Sequence, residues 1–356
     1  MKQNINFSKY FGTRQLPNTR KEDLPLMGET QALIAEAEQL GLNWELIQET
    51  NFVRISFNGV DKYFRNGTGT LNASTGRSIC ADKSLTRVFL KKAGLPVVNG
   101  YALLREDSTN DRLAVFNALQ KPLVIKPASS THGNGVRMNV TTFEEMDEWV
   151  SYLFKTRVRD AETSVGKVMV EETATGNEYR VIATSEKMLA AMHRHPANVI
   201  GDGRHSIAQL IEVKNHDPLR NISPLFYPHI EPDADMEYVL QSQSLTLESV
   251  PENNVEVPLR FISNIMAGGD AVDVTDKVHP SVAEMATKIV KAIPGMMMVG
   301  FDLMTTDIGA DQSSQRCWII EVNSAPEWSI HDFPMVGENR RVGRAILRLA
   351  FPDLQE

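Results

Sequence analysis

Toward the end of the chain, Glu321 and Asn323 stand two residues apart in the run CWIIEVNS. In a strand, residues at that spacing project from one face. Asp302 lies in the preceding apolar run MMMVGFDLMTT, and the polar stretch 307–316 is long enough to fold one strand back along the other. Asp302 is then expected roughly opposite Glu321. Two carboxylates and an amide oxygen converging on a sheet face are hard oxygen ligands, suited to Mg²⁺ held jointly with nucleotide phosphates. The plainer alternative is that these carboxylates face water, because a hairpin often has one wet face.

Three further groups have types that suit phosphate chemistry. Lys126 interrupts the apolar run PLVIKPAS. A buried ammonium there requires an anionic partner. The run leads into SSTHGNGV, a small, polar loop containing Gly133 and Gly135, whose backbone N–H groups suit a phosphate. It is not a Walker A loop, since no Gly-Lys-Ser/Thr follows, and Met138 stands where a dinucleotide fingerprint needs its third glycine. A simple turn with a snorkelling lysine also accounts for it. In VMVEETATGNEYR, Glu171 and Glu172 end a strand and Glu178 follows. A strand end that turns away offers backbone groups to a base edge, and a nearby carboxylate accepts from ribose hydroxyls. Acidic strand ends are also common without any such role. In LRFISNIMAGGDAVD, Arg260 and Asn264 precede Gly268-Gly269. A guanidinium and an amide beside a flexible turn suit a transferring phosphoryl group or an acyl-phosphate oxygen. An exposed arginine beside an ordinary turn is the bland counterpart.

The elements that must position these groups follow from periodicity and turn residues. Helical spacing predicts helices over 26–40, 84–93, 206–214 and 281–293, and a capping box at Thr142-Phe143-Glu144-Glu145 opens another through 154. Residues 51–64 are expected to form a hairpin turning at Asn58-Gly59, followed by a glycine-rich connector at 66–76. Strands are expected at 122–129, 167–173, 296–306 and 317–324, with a hairpin over 178–194 turning at Glu186. A last helix is expected over 340–349. The first 25 residues form a polar arm, and 231–254 a polar surface excursion.

Composition bounds the function. The chain has 356 residues, enough for two or three domains, and a formal net charge of −8. That acidity argues against sequence-independent nucleic-acid binding, which needs surplus cations. Two cysteines exclude a disulfide framework and a four-thiolate zinc site, so Cys80 and Cys317 are expected as small buried hydrophobes. The first residues lack a signal-peptide core, and the longest charge-free apolar stretch, 293–301, is too short to span a bilayer. A cytoplasmic enzyme is the expectation. His193, His195 and His331 are expected to be structural or to sit around the substrate. Arg340, Arg341, Arg344 and Arg348 form a helical stripe, either a solvated face or a contact for an acidic substrate or a second subunit.

The order is more specific than any piece: lysine strand, glycine-rich loop, acidic strand end, Arg/Asn–Gly-Gly turn, then Asp and Glu-x-Asn strands. It resembles the ATP-grasp superfamily, in particular the glutathione-synthetase half of bifunctional glutamate–cysteine ligase/glutathione synthetases and the ATP-grasp part of cyanophycin synthetases. The likeness runs from about residue 30 to 351, through ADKSLTRVFLKKAGLPV, VIKPASSTHGNGV, VEETATGNEYRV, PANVIGDG with KNHDPLR, VPLRFISNIMAGGDAVDVTD, GFDLM and EVNSAPEWSIHDFPMVGENRRV.

The resemblance implies an α+β, ATP-grasp fold: two α+β subdomains clasping ATP, with a small N-terminal α/β unit. The implied boundaries are 1–80 for that unit, 81–200 for the central and lid region, and 201–356 for the C-terminal subdomain. It implies ATP and two Mg²⁺ ions, Mn²⁺ being able to replace them. Asp302, Glu321 and Asn323 would bind metal, and Lys83 and Lys126 the nucleotide phosphates beneath a lid containing Gly133 and Gly135. Glu171, Glu172 and Ala174 would meet adenine, and Glu178 ribose. Arg260, Asn264 and Arg194 would hold the transferring phosphoryl group or the acyl-phosphate. The implied activity is a free-standing carboxylate–amine ligase forming an amide through an acyl-phosphate. Its partners would be small amino acids or peptides, with no nucleic acid and no membrane, and the chain could form a homodimer. Modification of a ribosomal or carrier-bound peptide, or a kinase reaction, is the alternative. Two departures bear on the substrate: Met266-Ala267-Gly268-Gly269 replaces the family's Ser-Thr-Gly-Gly turn, and Glu327 follows Pro326 where cyanophycin synthetases have glycine.

Overall fold

The computed structural model describes residues 28–47, 52–65, 68–69, 71–129, 134–156, 166–222 and 227–354. The chain opens with α1 (Gly28–Gln39), β1 (Asn43–Leu46) and the hairpin β2 (Phe52–Phe57) and β3 (Val60–Arg65). Two consecutive helices, α2 (Ser74–Ala81) and α3 (Lys83–Lys92), follow, then β4 (Gly100–Leu103), α4 (Thr109–Ala118), β5 (Leu123–Pro127), β6 (Arg137–Val140), α5 (Phe143–Thr156) and β7 (Val168–Glu172). Next come β8 (Asn177–Thr184), β9 (Met188–His195), β10 (Asn198–Ile200), α6 (Ile207–Asn215), α7 (Pro218–Ile222), α8 (Ala234–Ser242) and β11 (Glu256–Pro258). The chain ends through β12 (Asp270–Asp273), α9 (Pro280–Ala292), β13 (Met298–Thr305), β14 (Cys317–Asn323), α10 (Ser329–Asp332) and α11 (Val342–Ala350).

Two antiparallel sheets dominate. One runs β4-β7-β5-β6, the other β12-β9-β8-β13-β14. The four-stranded sheet packs Leu123, Ile125 and Val170 against Val150 and Leu153 of α5. The five-stranded sheet is buried on both sides. Its alternation sends Val181, Val299 and Phe301 toward Ile289 and Val290 of α9, while Ile182, Ala190 and Met298 meet α1, α10 and α11. Glu178, Arg180 and Asp302 continue the second face beyond that apolar patch. A fourth, smaller core joins the β10–β11 pair to α6 and α8.

The first and last described helices share one core. Leu33 and Ala37 of α1 lie with Ile346 and Leu347 of α11. Around that core Glu36 pairs with Arg341 at 2.7 Å and Arg344 at 2.8 Å, and Arg340 pairs with Asp273 and Asp276. Three members of the arginine stripe are therefore internal ties, where a solvated face or an intermolecular contact was expected. Cys80 and Cys317 are buried free thiols, as expected. The capping box at α5 forms, with Thr142 Oγ1 accepting from Glu145 N and Glu145 Oε2 accepting from Thr142 N. Sequence spacing missed β1, β4, β6, β10, β11, β12, α2, α4, α7, α8 and α10. Among the described residues no helix is long and apolar enough to cross a membrane.

Candidate active site

The hairpin of β13 and β14 sets Asp302 opposite Glu321 and Gly300 opposite Asn323. All three expected metal ligands therefore project from one face. On the other flank of β13, Asp302 is in register with Arg180 of β8. The pair is nearly fully buried, with Arg180 Nε donating to Asp302 Oδ1 at 2.5 Å. Arg194 joins it, 3.5 Å from Asp302 Oδ2 and 2.9 Å from Glu178 Oε1. Burial opposes the Asp302 charge, but the two guanidiniums outweigh it and hold the carboxyl below its usual range. Burial and the neighbouring Asp302 charge push Glu178 upward, although Arg194 opposes them. Among the described residues no three His, Cys, Asp or Glu side chains converge as a metal cluster. The oxygen set here is two carboxylates and an amide.

Lys126 finds the anionic partner its sequence demanded. Its Nζ lies 3.0 Å from Glu171 Oε2, and Glu171 Oε1 lies 2.8 Å from Arg87 Nη1. Lys126 is opposite Met169 on β7, two residues from Glu171, so the two side chains share a sheet face. Burial pushes the Lys126 ammonium down, and the Glu171 carboxylate limits the fall. Burial works against the Glu171 charge too, but Lys126 and Arg87 keep it ionised. Arg87 is buried, yet its three guanidinium nitrogens lack hydrogen-bond partners, its contact with Glu171 being an ion pair without aligned N–H groups. Lys83, one helical turn before Arg87, reaches Glu321 Oε1 at 3.2 Å. The phosphate-type lysines and the metal-type carboxylates are thus linked directly.

The remaining candidates are placed as follows. Glu172 Oε1 accepts from Asn99 Nδ2 and Gln120 N, and the Glu172 N–H is taken by Asn99 O. Ala174 is half-buried in the connection from β7 to β8. Gly135 O accepts from Trp149 Nε1 at 3.2 Å, and Gly133 lies outside the described residues. Arg260 bonds Asp233 Oδ2 at 2.8 Å, at the start of α8, rather than the Asp302 group. Asn264 Oδ1 accepts from Met266 N, ordering the turn that leads to Gly268. A cavity of about 1020 Å³ opens beside Glu172, Gln120 and Trp318, but Lys126, Asp302 and Glu321 do not line it.

Three positions escaped the sequence reading. Arg180 carried the signal that exposed Lys126, a charge inside an apolar strand, and Arg87 stood four residues after Lys83 in a helix. Asn72 had no signal. Its buried amide donates to Met298 O at 2.8 Å and Ser324 O at 2.6 Å and accepts from Met297 N and Met298 N. It clamps the start of β13 to the loop leaving β14. His193 and His331 are kept neutral: burial, with the His195 ring beside it, pushes His193 down to about 4, and burial with the Arg180 charge pushes His331 down to about 3.

Residues 82–223 match the family model of the carbamoyl-phosphate synthase L chain ATP binding domain. The crystal structure of a bifunctional glutathione synthetase from Pasteurella multocida superposes on 92% of the chain with a TM-score of 0.72 and 29% sequence identity. The chain has the ATP-grasp fold. Over 98% of its length it is 32% identical to the glutathione biosynthesis bifunctional protein GshAB of Clostridium perfringens, covering 45% of that protein. Over 94% of its length it is 31% identical to the cyanophycin synthetase of Trichormus variabilis, covering 36% of it. It covers 44% of the Pasteurella chain. This ATP-grasp chain therefore spans less than half the length of these relatives. Its α+β architecture, with two antiparallel sheets facing the paired charges, is the one the motif order implied.

Proposed function

We propose that this chain is an ATP-dependent carboxylate–amine ligase that builds an amide bond between an amino acid or small peptide and an amine-bearing amino acid. One observation carries the reading: Asp302, Glu321 and Asn323 share a sheet face and are tied through Lys83 to the side carrying Arg87, Lys126 and Glu171. Glu171, Glu178, Asp302 and Glu321 are nearly balanced by Lys83, Arg87, Lys126, Arg180 and Arg194. A triphosphate brought to such a balanced site needs countercharge of its own, and the hard oxygen set suits Mg²⁺. Two Mg²⁺ ions, or Mn²⁺ in their place, would be held by Asp302, Glu321 and Asn323 and would draw charge off the phosphates.

The chain's own residues do the rest. Lys83, Lys126 and Arg87 orient the phosphates. A carboxylate oxygen of the acid substrate attacks the γ-phosphorus, the bond to ADP breaks, and an acyl-phosphate forms. Arg194 and Arg180 stabilise negative charge beside Asp302, and Asn264 orders the turn beside the acceptor. The amine then attacks the acyl carbon, phosphate leaves, and the amine proton passes to solvent. Glu172 and Ala174 frame the base and Glu178 the ribose. The test is product formation by purified protein with Mg-ATP. ADP and phosphate should appear only when an acid and an amine are both present, together with an amide in the mass spectrum. Glu321→Gln should abolish that turnover with the fold intact. If no pair from a broad amino-acid and dipeptide panel stimulates wild-type turnover, the proposal is wrong.

A further inference from the structure

Arg220 belongs to none of the groups above, yet its side chain is completely buried. It sits on the short helix α7, in the KNHDPLR segment, and its guanidinium spans two parts of the molecule. Nη2 donates to Gly268 O at 2.9 Å and to Asp270 Oδ1 at 2.8 Å, and Nη1 donates to Pro228 O at 2.6 Å. The guanidinium also lies 6.0 Å from the ring centroid of Tyr227, whose hydroxyl donates to Phe333 O at 3.1 Å. Asp270 is shared with Lys214 Nζ at 2.5 Å, so its charge is satisfied from two sides.

One end of this bridge is the Gly268-Gly269 turn and the other is the segment that follows the metal strand. Gly268 and Gly269 close the segment that begins at Arg260 and contains Asn264. Gly269 is wedged there: a Cβ would lie 2.7 Å from His195 O and 2.9 Å from Asn264 O. At the other end, Phe333 follows α10, and the segment from Glu327 to Phe333 leads directly from the metal strand. The two departures from the family pattern, Met266-Ala267 and Glu327, lie one at each end. We propose that Arg220 is a positioning residue that, directly and through Tyr227, keys the Gly268-Gly269 turn to the Glu327–Phe333 segment, so that the two segments carrying the departures from the family pattern are set relative to each other. Its consequence for catalysis rests on the ligase reading, but the coupling itself does not.

A planar fork of donors reaching three carbonyl or carboxylate groups cannot be replaced by a point charge. Hydrogen–deuterium exchange of the full chain tests the coupling without any substrate. In Arg220→Met and Arg220→Lys, amides of 264–269 and 327–335 should both exchange about tenfold faster or more, while β5, β7, β13 and β14 keep wild-type protection. Tyr227→Phe cuts the link to Phe333 alone, so 327–335 should loosen while 264–269 stays protected. If Arg220→Met does not fold, Arg220→Lys and Tyr227→Phe decide the matter. Unchanged protection of 264–269 or of 327–335 in Arg220→Lys, or an equal rise across every element, overturns the proposal. Where the ligase assay succeeds, Arg220→Lys should lower kcat and raise KM for the amine with KM for ATP unchanged. Equal changes in both KM values would also count against it.

Discussion

Glu171 faces Lys126 and Arg87 in a nearly dry setting, so its charge has a larger role than a surface acid of the same type. Replacing it by glutamine leaves two buried cations without a counterion, a change worth about 3–5 kcal/mol of lost stability in comparable buried pairs. Triphosphate binding would supply the missing negative charge. Glu171→Gln should therefore melt well below wild type without nucleotide and gain more from Mg-ATP than wild type gains. Thermal denaturation with and without Mg-ATP measures both quantities, and equal gains would remove Lys126 and Arg87 from the phosphate site. Lys126 was legible because a charge interrupting an apolar strand has few physical explanations. Asp302 and Glu321 were legible because strand period and loop length fix which residues can oppose each other. The partnership of Arg180 with Asp302 was not, since it joins residues 122 apart through sheet register, which no local spacing encodes.

Among the elements, the turn after Asn264 depends on a left-handed glycine. Gly268 has φ 92°, and a Cβ there would lie 2.8 Å from Ile230 Cγ1. Gly268→Ala combines backbone strain with a contact that must yield, and should cost about 1–3 kcal/mol. Equilibrium unfolding in urea should report that loss. A cost near zero would mean that the turn can flip to a conformation that L-residues accept. The elements themselves were unevenly legible. The hairpin of β8 and β9 was legible from two apolar runs on either side of the polar turn at Glu186. Helix α4 buries none of its residues, so it has no apolar period to find. Helix α8 hid within a polar stretch although Met236, Val239 and Leu240 keep helical spacing on its buried face. Helix α2 begins inside the run expected to be a glycine-rich connector, where it packs Ile79 and Cys80 against the five-stranded sheet.

For the molecule as a whole, the feature least visible in the sequence is that its first described helix closes on its last two. Glu29 of α1 accepts a hydrogen bond from Ser329 Oγ of α10 at 2.9 Å, across 300 residues. Nearly complete burial, with the Glu327 charge nearby, pushes the Glu29 carboxyl from 4.5 up to about 7. The folded protein thus keeps a proton on Glu29 over a pH range in which the unfolded chain has lost it. Stability from this group is full below pH 4.5, declines as pH rises toward 7, and is level above that. A glutamine at the position has no proton to lose. The stability difference between wild type and Glu29→Gln should therefore shift against wild type by roughly 3 kcal/mol between pH 4.5 and pH 8. Asp332, raised to about 7 by burial, and His331 titrate in both proteins and cancel in the comparison. Urea unfolding of the two proteins at pH 5 and pH 8 measures the shift. An identical difference at both pH values would mean that Glu29 is ionised in the folded protein, and that α1 meets α10 through a charge rather than a neutral carboxyl.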